Sequence, residues 1–473
     1  MRRTSIDISR PCWLSVCVTV MSCFTARLPC AMAQRQQWKA GVASVAITPA
    51  ESMWMAGYAA RKGPSEGKVH DLWAKALALE DDLGKRVVIV TVELIGIPRP
   101  TRDWMEKQVE ARFKLPPESF LLNASHTHCG PVIRESRYSI YGNTVYGLSP
   151  EQIEQSNQYV EQLQRKLLRL VGHALENIAP ARLGYTHARA GFAMNRRSKT
   201  ETGYRIAPNP DGPVDHDIPV LRVDSPDGKL RAVIFGYACH CTTMSFNKFC
   251  GDYAGFAQQY IQQAHPDATA LFIAGCGGDQ NPYPRRELDY CKQHGRALAN
   301  GVETALSSQA KPVRGPIKTV LETVTLEFAE PPNRSQLEEK AKSSDKYDRR
   351  HAEVLLDELE RTGKIRRTYP YLVQVIRFGD DLTLVALAGE VVVDYSLRLK
   401  AEIADPAVWV AGYSNDVFGY VPSLRVLQEG GYEGGGAMRY TNLPGPFAPS
   451  VEQCIVDKVH KMVDKARTTA SEP

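Results

Sequence analysis

Short apolar runs of the kind that form β-strands constrain the fold of this chain more than any other feature of its sequence. Six runs predict strands: 86–94, 119–125, 231–239, 270–275, 382–389 and 408–414. Helical patterns lie between several of them, including 150–178 and 253–264. Nearly continuous apolar runs indicate strands covered on both faces, and their alternation with helices is typical of α/β proteins. We therefore predict an α/β fold of mixed β-sheets flanked by helices.

Polar or glycine-rich segments follow five of these predicted strands. They are the pair His126 and His128, then His240, the stretch 275–282, Glu390 and the stretch 415–420. In open α/β sheets, ligands lie outside the carboxyl ends of the strands. We therefore expect these five segments to converge on one site.

The side chains in these segments are of metal-binding types. One residue separates His126 from His128, so in a strand both rings would lie on one face. Two or three imidazoles, a carboxylate and a phenol can hold zinc, and a catalytic zinc site keeps one position open for water. Each residue alone has a structural alternative, since a lone histidine such as His240 is more often a core residue and Glu390 could cap the following helix. Taken together, the set favours a metal site.

The first 33 residues have the pattern of a secretory signal peptide, with a basic start, an apolar run and the small-residue site at Ala31 and Ala33. We expect export of the mature chain, residues 34–473. Four arginines and one aspartate lie in the signal segment, so the formal net charge falls from +5 to +2 without it. This balance does not indicate nucleic-acid binding. No later segment reaches the roughly 18 apolar residues of a membrane helix, so at most peripheral membrane contact is expected.

Residues 34–473 are expected to form one large α/β domain, with two smaller domains as the alternative. The charged segment 331–368 has helical spacing in its second half and is predicted to be a solvated helical excursion within that domain. Four of the 11 cysteines precede residue 34, and the odd, sparse remainder does not suit a disulfide scaffold.

Seven motifs occur in order between about residues 40 and 440. They read "VASVAITPAESMWMAGYA", "ASHTHCGP", "AMNRRS", "YACHCTTMS", "GDYAGFAQQYI", "ALAGEVVVDYSLRLK" and "GYSNDVFGYVP" with "GGYEGGGA". In this order they resemble the neutral ceramidases, also called neutral/alkaline non-lysosomal ceramidases. The resemblance implies a catalytic α/β domain that hydrolyses the amide bond of ceramide, or of another N-acyl lipid, with zinc-bound water.

The resemblance also implies roles for particular residues. Four positions match the family's zinc ligands: His126, His240, Glu390 and Tyr420. Three more match residues around the scissile amide: His128, Arg196 and Tyr432. His126 would then hold the metal, and His128 would be free for acid–base work because a histidine can move a proton at neutral pH.

The chain departs from the family at the segment that reads G-D-V-S-P in ceramidases. Here it reads Gly278 to Pro282, which places Asn281 at the family's catalytic serine. Asparagine can donate a hydrogen bond to an oxyanion or to water, but it cannot become a nucleophile. We expect Asn281 to act in that way, and a mechanism that needs the serine is excluded. No counterpart of the family's C-terminal β-sandwich is expected in residues 34–473.

Two alternatives remain open at this point. An amidohydrolase of the TIM-barrel type also begins with two histidines at a strand end, but it needs a lysine, further histidines and an aspartate on later strands, in an order that is not found here. The other alternative is a catalytically inactive ceramidase-like protein that binds a lipid or a glycan. Retention of amide hydrolysis would exclude this second alternative.

Overall fold

Strands and helices alternate along the chain, as the hydrophobic pattern predicts. The computed structural model describes residues 38–133 and 148–468. The strands in these ranges are β1 Trp38–Ala46, β2 Trp73–Glu80, β3 Arg86–Val92, β4 Phe120–Ala124, β5 Ala179–Arg189, β6 Ala193–Thr200, β7 Gly203–Asn209, β8 Asp217–Asp224, β9 Leu230–Tyr237, β10 Thr269–Ala274, β11 Gln280–Pro282, β12 Lys311–Val313, β13 Ile317–Glu327, β14 Thr368–Phe378, β15 Leu382–Leu387, β16 Glu390–Val391, β17 Val408–Ala411 and β18 Tyr420–Val421. All six predicted strands are confirmed.

Helices are present at both helical patterns that the sequence predicted between the strands, 150–178 and 253–264. Those in the described ranges are α1 Arg99–Phe113, α2 Pro150–Glu176, α3 Asp252–Ala264, α4 Leu288–Ser307, α5 Arg334–Lys340, α6 Lys346–Thr362, α7 Val393–Glu402, α8 Leu424–Glu429 and α9 Val451–Thr468. Helix α2 begins at a capping box of Ser149 and Gln152, whose side chains each bond the other residue's backbone N–H. None of these helices contains a stretch apolar enough to cross a bilayer.

Half of the described strands belong to one large mixed sheet with the order β10-β9-β8-β5-β1-β2-β3-β4, in which β12 also pairs with β5. The pairs β3/β4 and β9/β10 are parallel, and the others along this path are antiparallel. A second sheet has the order β13-β14-β15-β17. Two small sheets, β11-β6-β7 and β16-β18, complete the strands and carry several of the predicted site residues.

The two larger sheets pack face to face, with helices on their outer faces. Alternate side chains of the large sheet, such as Val88 and Val90, pack against helices α1 to α4. The intervening ones, such as Ile89, pack with Leu384 and Trp409 of the second sheet. The outer face of the second sheet packs on α7 and α9. Both faces of the central strands are therefore covered, which explains their continuous apolar runs.

The charged segment 331–368 contains two helices, α5 and α6, whereas the sequence predicted one in its second half. Their inner sides share a small core of Leu337, Ala352, Leu355 and Ile365. The described residues, 38–133 and 148–468, belong to one compact unit. The predicted signal peptide, residues 1–33, lies outside the described residues, so the predicted export stays a prediction.

Candidate metal centre and active site

The site lies where the carboxyl ends of the two larger sheets are joined. Isolated backbone bridges connect Asn123 with Ser414, and Gly275 with Ala411. The first bridge joins the end of β4 to the loop after β17, and the second joins the residue after β10 to the end of β17. His126 and His240 emerge at this junction, from β4 and β9, so the expected convergence of strand ends is observed.

Glu390 and Tyr420 are placed side by side by the shortest sheet of the structure. Strands β16 and β18 are parallel, and their register pairs Glu390 with Tyr420. The Glu390 N–H donates to the Gly419 carbonyl at 2.8 Å. Two residues that are 30 positions apart in sequence thus present their side chains to the same cavity.

Three imidazoles, His126, His128 and His240, form what we call the imidazole cluster. The Nε2 atoms of His126 and His128 lie 3.1 Å apart. The Oε2 atom of Glu390 lies 3.2 Å from Nε2 of His126 and 3.3 Å from Nε2 of His240. The Tyr420 hydroxyl lies 3.2 Å from Nε2 of His240. All four predicted metal ligands, and His128 with them, therefore surround one point.

Backbone carbonyls orient two of these rings. Nδ1 of His126 lies 2.6 Å from the Ile95 carbonyl, and Nδ1 of His240 lies 2.6 Å from the Gly277 carbonyl. A carbonyl only accepts, so each Nδ1 carries a proton, and Nε2 is the nitrogen that faces the cluster. Metal-ligating histidines in proteins are held in this way.

The charge states at the site also suit a cation. Burial, together with Arg196, lowers the pKa of His240 to about 3, and burial beside the other two imidazoles lowers the pKa of His128 well below its usual value. Neutral imidazoles and an ionised carboxylate are the forms that bind metals.

One buried atom of the site supports the same conclusion. Oε2 of Glu390 is buried without a hydrogen-bond donor in the described part of the chain, although it lies near two imidazole nitrogens. Where the Nε2 atoms present lone pairs, each contact with Oε2 brings two hydrogen-bond acceptors together. Such a contact is unfavourable unless a cation lies between the two atoms. The imidazole cluster could therefore hold a metal ion.

His126 and His128 reach the cluster by a route that differs from the sequence expectation. Strand β4 ends at Ala124, and His126 has a left-handed backbone with φ of 61°. A turn, rather than the alternation of a strand, brings the two rings together. Close approach of Gly57 holds His128 from the other side, since a Cβ at Gly57 would lie 2.4 Å from Nδ1 of His128.

Arg196, on β6, connects the metal ligands to the other predicted residues. Its Nη2 donates to the Tyr420 hydroxyl at 2.9 Å, its Nη1 to Oδ1 of Asn281 at 3.2 Å and its Nε to Glu433 at 2.7 Å. Burial alone would lower the pKa of Arg196, but Tyr420 and Glu433 raise it well above its usual value. The guanidinium is therefore a fixed positive charge beside the cluster.

Asn281, on β11, presents an unused donor. Its Oδ1 accepts from Arg196 and from the Thr242 hydroxyl, at 3.2 and 3.3 Å. Both partners are donors, so this atom is the oxygen and the other is the NH₂ group. That Nδ2 is buried and has no acceptor among the described residues. Asn281 can therefore donate to a bound ligand, as the sequence predicted.

One cavity of about 370 Å³ unites these groups. Seven of the eight predicted site residues line it: His126, His128, Arg196, Asn281, Glu390, Tyr420 and Tyr432. The eighth, His240, is fully buried and contacts the cluster from behind the lining. Apolar residues form another part of the wall: Ile95, Pro98, Ile133, Val417 and Phe418. The cavity therefore combines polar chemistry with an apolar surface.

Several residues of the site were missed from the sequence. Glu433 is buried and pairs with Arg196, and Tyr413 packs its ring 4.5 Å from the ring of His126. Glu433 directly follows the predicted Tyr432, and Tyr413 directly precedes the polar segment after β17, so proximity to predicted residues was the available signal. Arg285 and Arg286 also line the cavity, and no sequence pattern singled them out.

Comparisons with known proteins agree with the predicted resemblance. The model of the family described as neutral/alkaline non-lysosomal ceramidase, N-terminal, matches residues 38–282, just over half of the chain. A neutral ceramidase B from Dictyostelium discoideum is 26% identical over 226 residues, which are 45% of this chain and 31% of that relative. The match thus spans about a third of the relative's length.

Solved structures show the same fold. Neutral ceramidase from Pseudomonas aeruginosa superposes with a TM-score of 0.68 at 18% identity, over 93% of this chain and 76% of that chain. A ceramidase complexed with C2 gives the same TM-score and identity, over 93% of this chain and 77% of that chain. The predicted α/β fold is thereby confirmed.

Proposed function

The chain belongs to the neutral/alkaline non-lysosomal ceramidase family, and from this premise we propose that it is an exported, zinc-dependent hydrolase that cleaves the amide bond of an N-acyl lipid, ceramide or another. The observation that carries the proposal is the convergence of imidazole Nε2 atoms on Glu390 Oε2, in a cavity that also holds an unused amide donor. The proposed export is supported by the signal-peptide pattern of residues 1–33.

His126, His240, Glu390 and Tyr420 are the proposed ligands of the zinc ion. Two imidazole nitrogens, one carboxylate and one phenol oxygen are donors that zinc accepts in proteins. When bound, zinc would supply Lewis-acid chemistry at the amide carbonyl and toward water. Arg196 holds the Tyr420 hydroxyl in place by donating to it, which leaves the hydroxyl oxygen directed toward His240.

Asn281 and Arg196 are proposed to bind the amide oxygen as negative charge develops on it. The free Nδ2 of Asn281 is a fixed, buried donor, and Arg196 adds a positive charge next to it. Prearranged donors in a site shielded from water stabilise an oxyanion strongly because they need no reorganisation. Tyr432 lies within reach of the same region, with its ring 5.3 Å from that of Tyr420.

His128 is proposed to move the protons of the reaction. Its low pKa, caused by burial, leaves the ring neutral and able to accept a proton at neutral pH. Nδ1 is buried without a partner among the described residues, so the ring can carry a proton on either nitrogen. The proton accepted from the attacking water would pass to the amine as the C–N bond breaks.

Fatty-acid release from N-lauroylethanolamine and from a C12 ceramide tests this proposal. The purified protein is stripped of metal with a chelator, and the initial rate is compared before and after zinc is added back. We expect hydrolysis only in the zinc-loaded protein. Absence of hydrolysis of either substrate by protein with one bound zinc per chain would contradict the proposal.

The Asn281→Ser variant separates the hydrolase from the alternative of an inactive binding protein. We expect the wild type to hydrolyse the substrate with asparagine at this position. If neither the wild type nor Asn281→Ser releases fatty acid, while both still bind N-lauroylethanolamine in calorimetry, the protein is a ligand-binding member of its family.

A further inference from the structure

Two arginines on one flank of the cavity form no ion pair with any residue that the structure describes. We infer that Arg285 and Arg286 bind an anionic group, a carboxylate or a phosphate, on the amine side of the N-acyl substrate. This inference rests on the proposed function and specifies the substrate class of the same site. The preferred substrates are then acylated amino acids or acylated amino phosphates, rather than an uncharged ceramide.

Arg285 lies next to the catalytic groups. Its Nη2 donates to the Thr242 carbonyl at 2.6 Å, and the hydroxyl of the same threonine donates to Asn281. The Nε–H of Arg285 is buried and has no acceptor in the described part of the chain. Nη2 of Arg285 is thus held in place, and its Nε–H is unused. Thr242 connects this arginine to Asn281, the amide donor of the site.

The lowered pKa of Arg285 reflects the burial of its guanidinium without an ion-paired carboxylate. Burial lowers this pKa, and the groups that act on it are tyrosines and other arginines: Tyr58, Tyr283, Arg196 and Arg286. Moving a guanidinium out of water is unfavourable unless an anion compensates it. An anionic ligand would supply that compensation.

Arg286 is held over the same flank by an uncommon backbone conformation. Its φ is 90°, and its N–H donates to the Thr243 carbonyl at 2.8 Å. Such conformations of residues other than glycine cost energy and are concentrated at functional sites. The guanidinium lies 5.4 Å from the ring centroid of Tyr58, and that ring lies 4.9 Å from the ring of His128. One aromatic ring therefore separates Arg286 from the imidazole cluster.

Two other arginines, Arg196 and Arg197, differ from this pair because carboxylates neutralise them. Arg196 pairs with Glu433, and its neighbour Arg197 pairs with both Glu429 and Glu433. Among the described residues, neither Arg285 nor Arg286 forms an ion pair. The carboxylate in the lining, Glu390, faces the imidazole cluster. Arg285 is half-buried and Arg286 is exposed, and the described residues provide neither guanidinium with an ion-pairing carboxylate.

The acyl chain needs an apolar surface, and the part of the cavity wall that contacts His126 provides one. Ile95 accepts the hydrogen bond from His126, and Val417 packs so closely on Gly96 that a Cβ there would lie 2.5 Å from Cβ of Val417. The acyl chain can lie along this apolar wall while the amine side reaches the arginines. Hydrolysis adds one water across the C–N bond and yields a fatty acid and an amine that keeps its anionic group.

Substrate preference tests the inference. The zinc-loaded protein is given N-lauroylglycine, the phosphate monoester of N-lauroylethanolamine, and neutral N-lauroylethanolamine, and kcat/KM is measured for each. We expect one of the two anionic substrates to exceed the neutral one by about 10- to 100-fold, the usual worth of hydrogen bonds to a charged group. Whichever anion is preferred identifies the head group.

Arg285→Gln, Arg286→Gln and the double variant are measured beside Arg296→Gln. Arg296, on α4, is a matched control because its guanidinium also stacks on a tyrosine, 3.6 Å from the ring centroid of Tyr260, outside the cavity lining. The double variant is expected to lose the anionic preference, whereas Arg296→Gln keeps it. Arg286→Gln serves as the second variant if loss of the Arg285 contact to Thr242 impairs folding.

Three outcomes would decide the matter. A wild type that prefers the neutral amide, or an anionic preference that survives in the double variant, overturns the inference. If no substrate is hydrolysed, the proposed function fails on its own, and the three compounds are compared by calorimetric binding instead. Tighter binding of an anionic compound that is lost in the double variant would still support the arginine site, and equal binding of all three would refute it.

Discussion

Two of the buried polar clusters in the described part of the chain can be compared, and one of them needs something from outside the protein. The inner cluster contains Lys75 and Glu93. Nζ of Lys75 donates to Gln262 and to the Ala270 carbonyl, each at 2.7 Å, and the two oxygens of Glu93 accept from Gln258 and from the Trp73 N–H. Each charged group of this cluster therefore has hydrogen-bond partners within the protein.

The imidazole cluster is equally buried but is not satisfied in the same way. Its nitrogen lone pairs and Oε2 of Glu390 are directed at each other, and Nδ1 of His128 and Nδ2 of Asn281 have no partners in the described ranges. The comparison shows that burial of polar groups does not by itself indicate function. Function is indicated where several donors and lone pairs without partners are grouped around one cavity.

Replacement of Glu390, the carboxylate beside the imidazole cluster, is expected to have the largest effect. Glu390→Gln keeps the shape of the side chain but removes its charge. Metal affinity should fall by more than about 100-fold, because even residues that only support metal ligands are worth 10- to 100-fold. Hydrolysis should fall below detection. Metal titration measures the first effect, and unchanged affinity would remove Glu390 from the proposed ligand set.

His128→Ala sharpens the division of roles within the cluster. We expect the variant to keep its metal and to lose about 10²- to 10⁴-fold in kcat, the usual contribution of a general acid–base group. His187→Ala, an exposed histidine that pairs with Asp217, is the control and should behave as the wild type. Loss of the metal from His128→Ala would instead make His128 a ligand.

Asn281→Ala removes the unused donor. Loss of one oxyanion donor typically lowers kcat by about 10²- to 10³-fold, and we expect the lower end here because Arg196 remains. KM should change little, since the bond forms mainly as charge develops. Asn300→Ala, at an exposed position on α4, is the matched control. An effect on KM alone would contradict the assignment of Asn281 to the oxyanion.

Lys75→Met should act on stability and not on chemistry, which would support the contrast between the clusters. It removes the Lys75 donor from the Ala270 carbonyl and leaves the Gln262 oxygen with the Ala270 N–H alone, so the free energy of unfolding should fall by about 2 kcal/mol. Denaturant titration measures this change. Metal content and kcat should match the wild type, and loss of metal from Lys75→Met would break the comparison.

The same variant gives a pH test. Burial lowers the pKa of Lys75 to about 8, compared with about 10.4 in an unfolded chain. Between these values the unfolded state binds more protons than the folded state, so this group makes the wild type more stable as pH rises. The difference in unfolding free energy between wild type and Lys75→Met should therefore widen from about pH 8 to 10.4. A constant difference would contradict the lowered pKa.

The sequence predicts the elements of this fold well because their signals are local. Each apolar run was long enough to be identified as a strand, and the capping box at Ser149 and Gln152 coincides with the start of the long helix. The packing of the second sheet on the first was not predicted. It depends on contacts such as Trp409 against Gly236, where a Cβ would lie 2.8 Å from the indole nitrogen.

The candidate site was predicted as a set of residues but not as a geometry. Strand-end histidines and Glu390 are visible as patterns, whereas the pairing of Glu390 with Tyr420 arises from a two-residue parallel bridge that leaves no periodicity in the sequence. Arg285 and Arg286 have no pattern either. Their importance follows from the absence of an ion-paired carboxylate among the described residues, which only the structure can show.

Metal analysis of the purified protein tests the central claim most directly. Wild type, His126→Ala and Lys75→Met are each stripped of metal, loaded with zinc, freed of excess ion and analysed for zinc per chain. The account predicts about one zinc in the wild type and in Lys75→Met, and almost none in His126→Ala. No zinc in the wild type, or a full complement in His126→Ala, would contradict it.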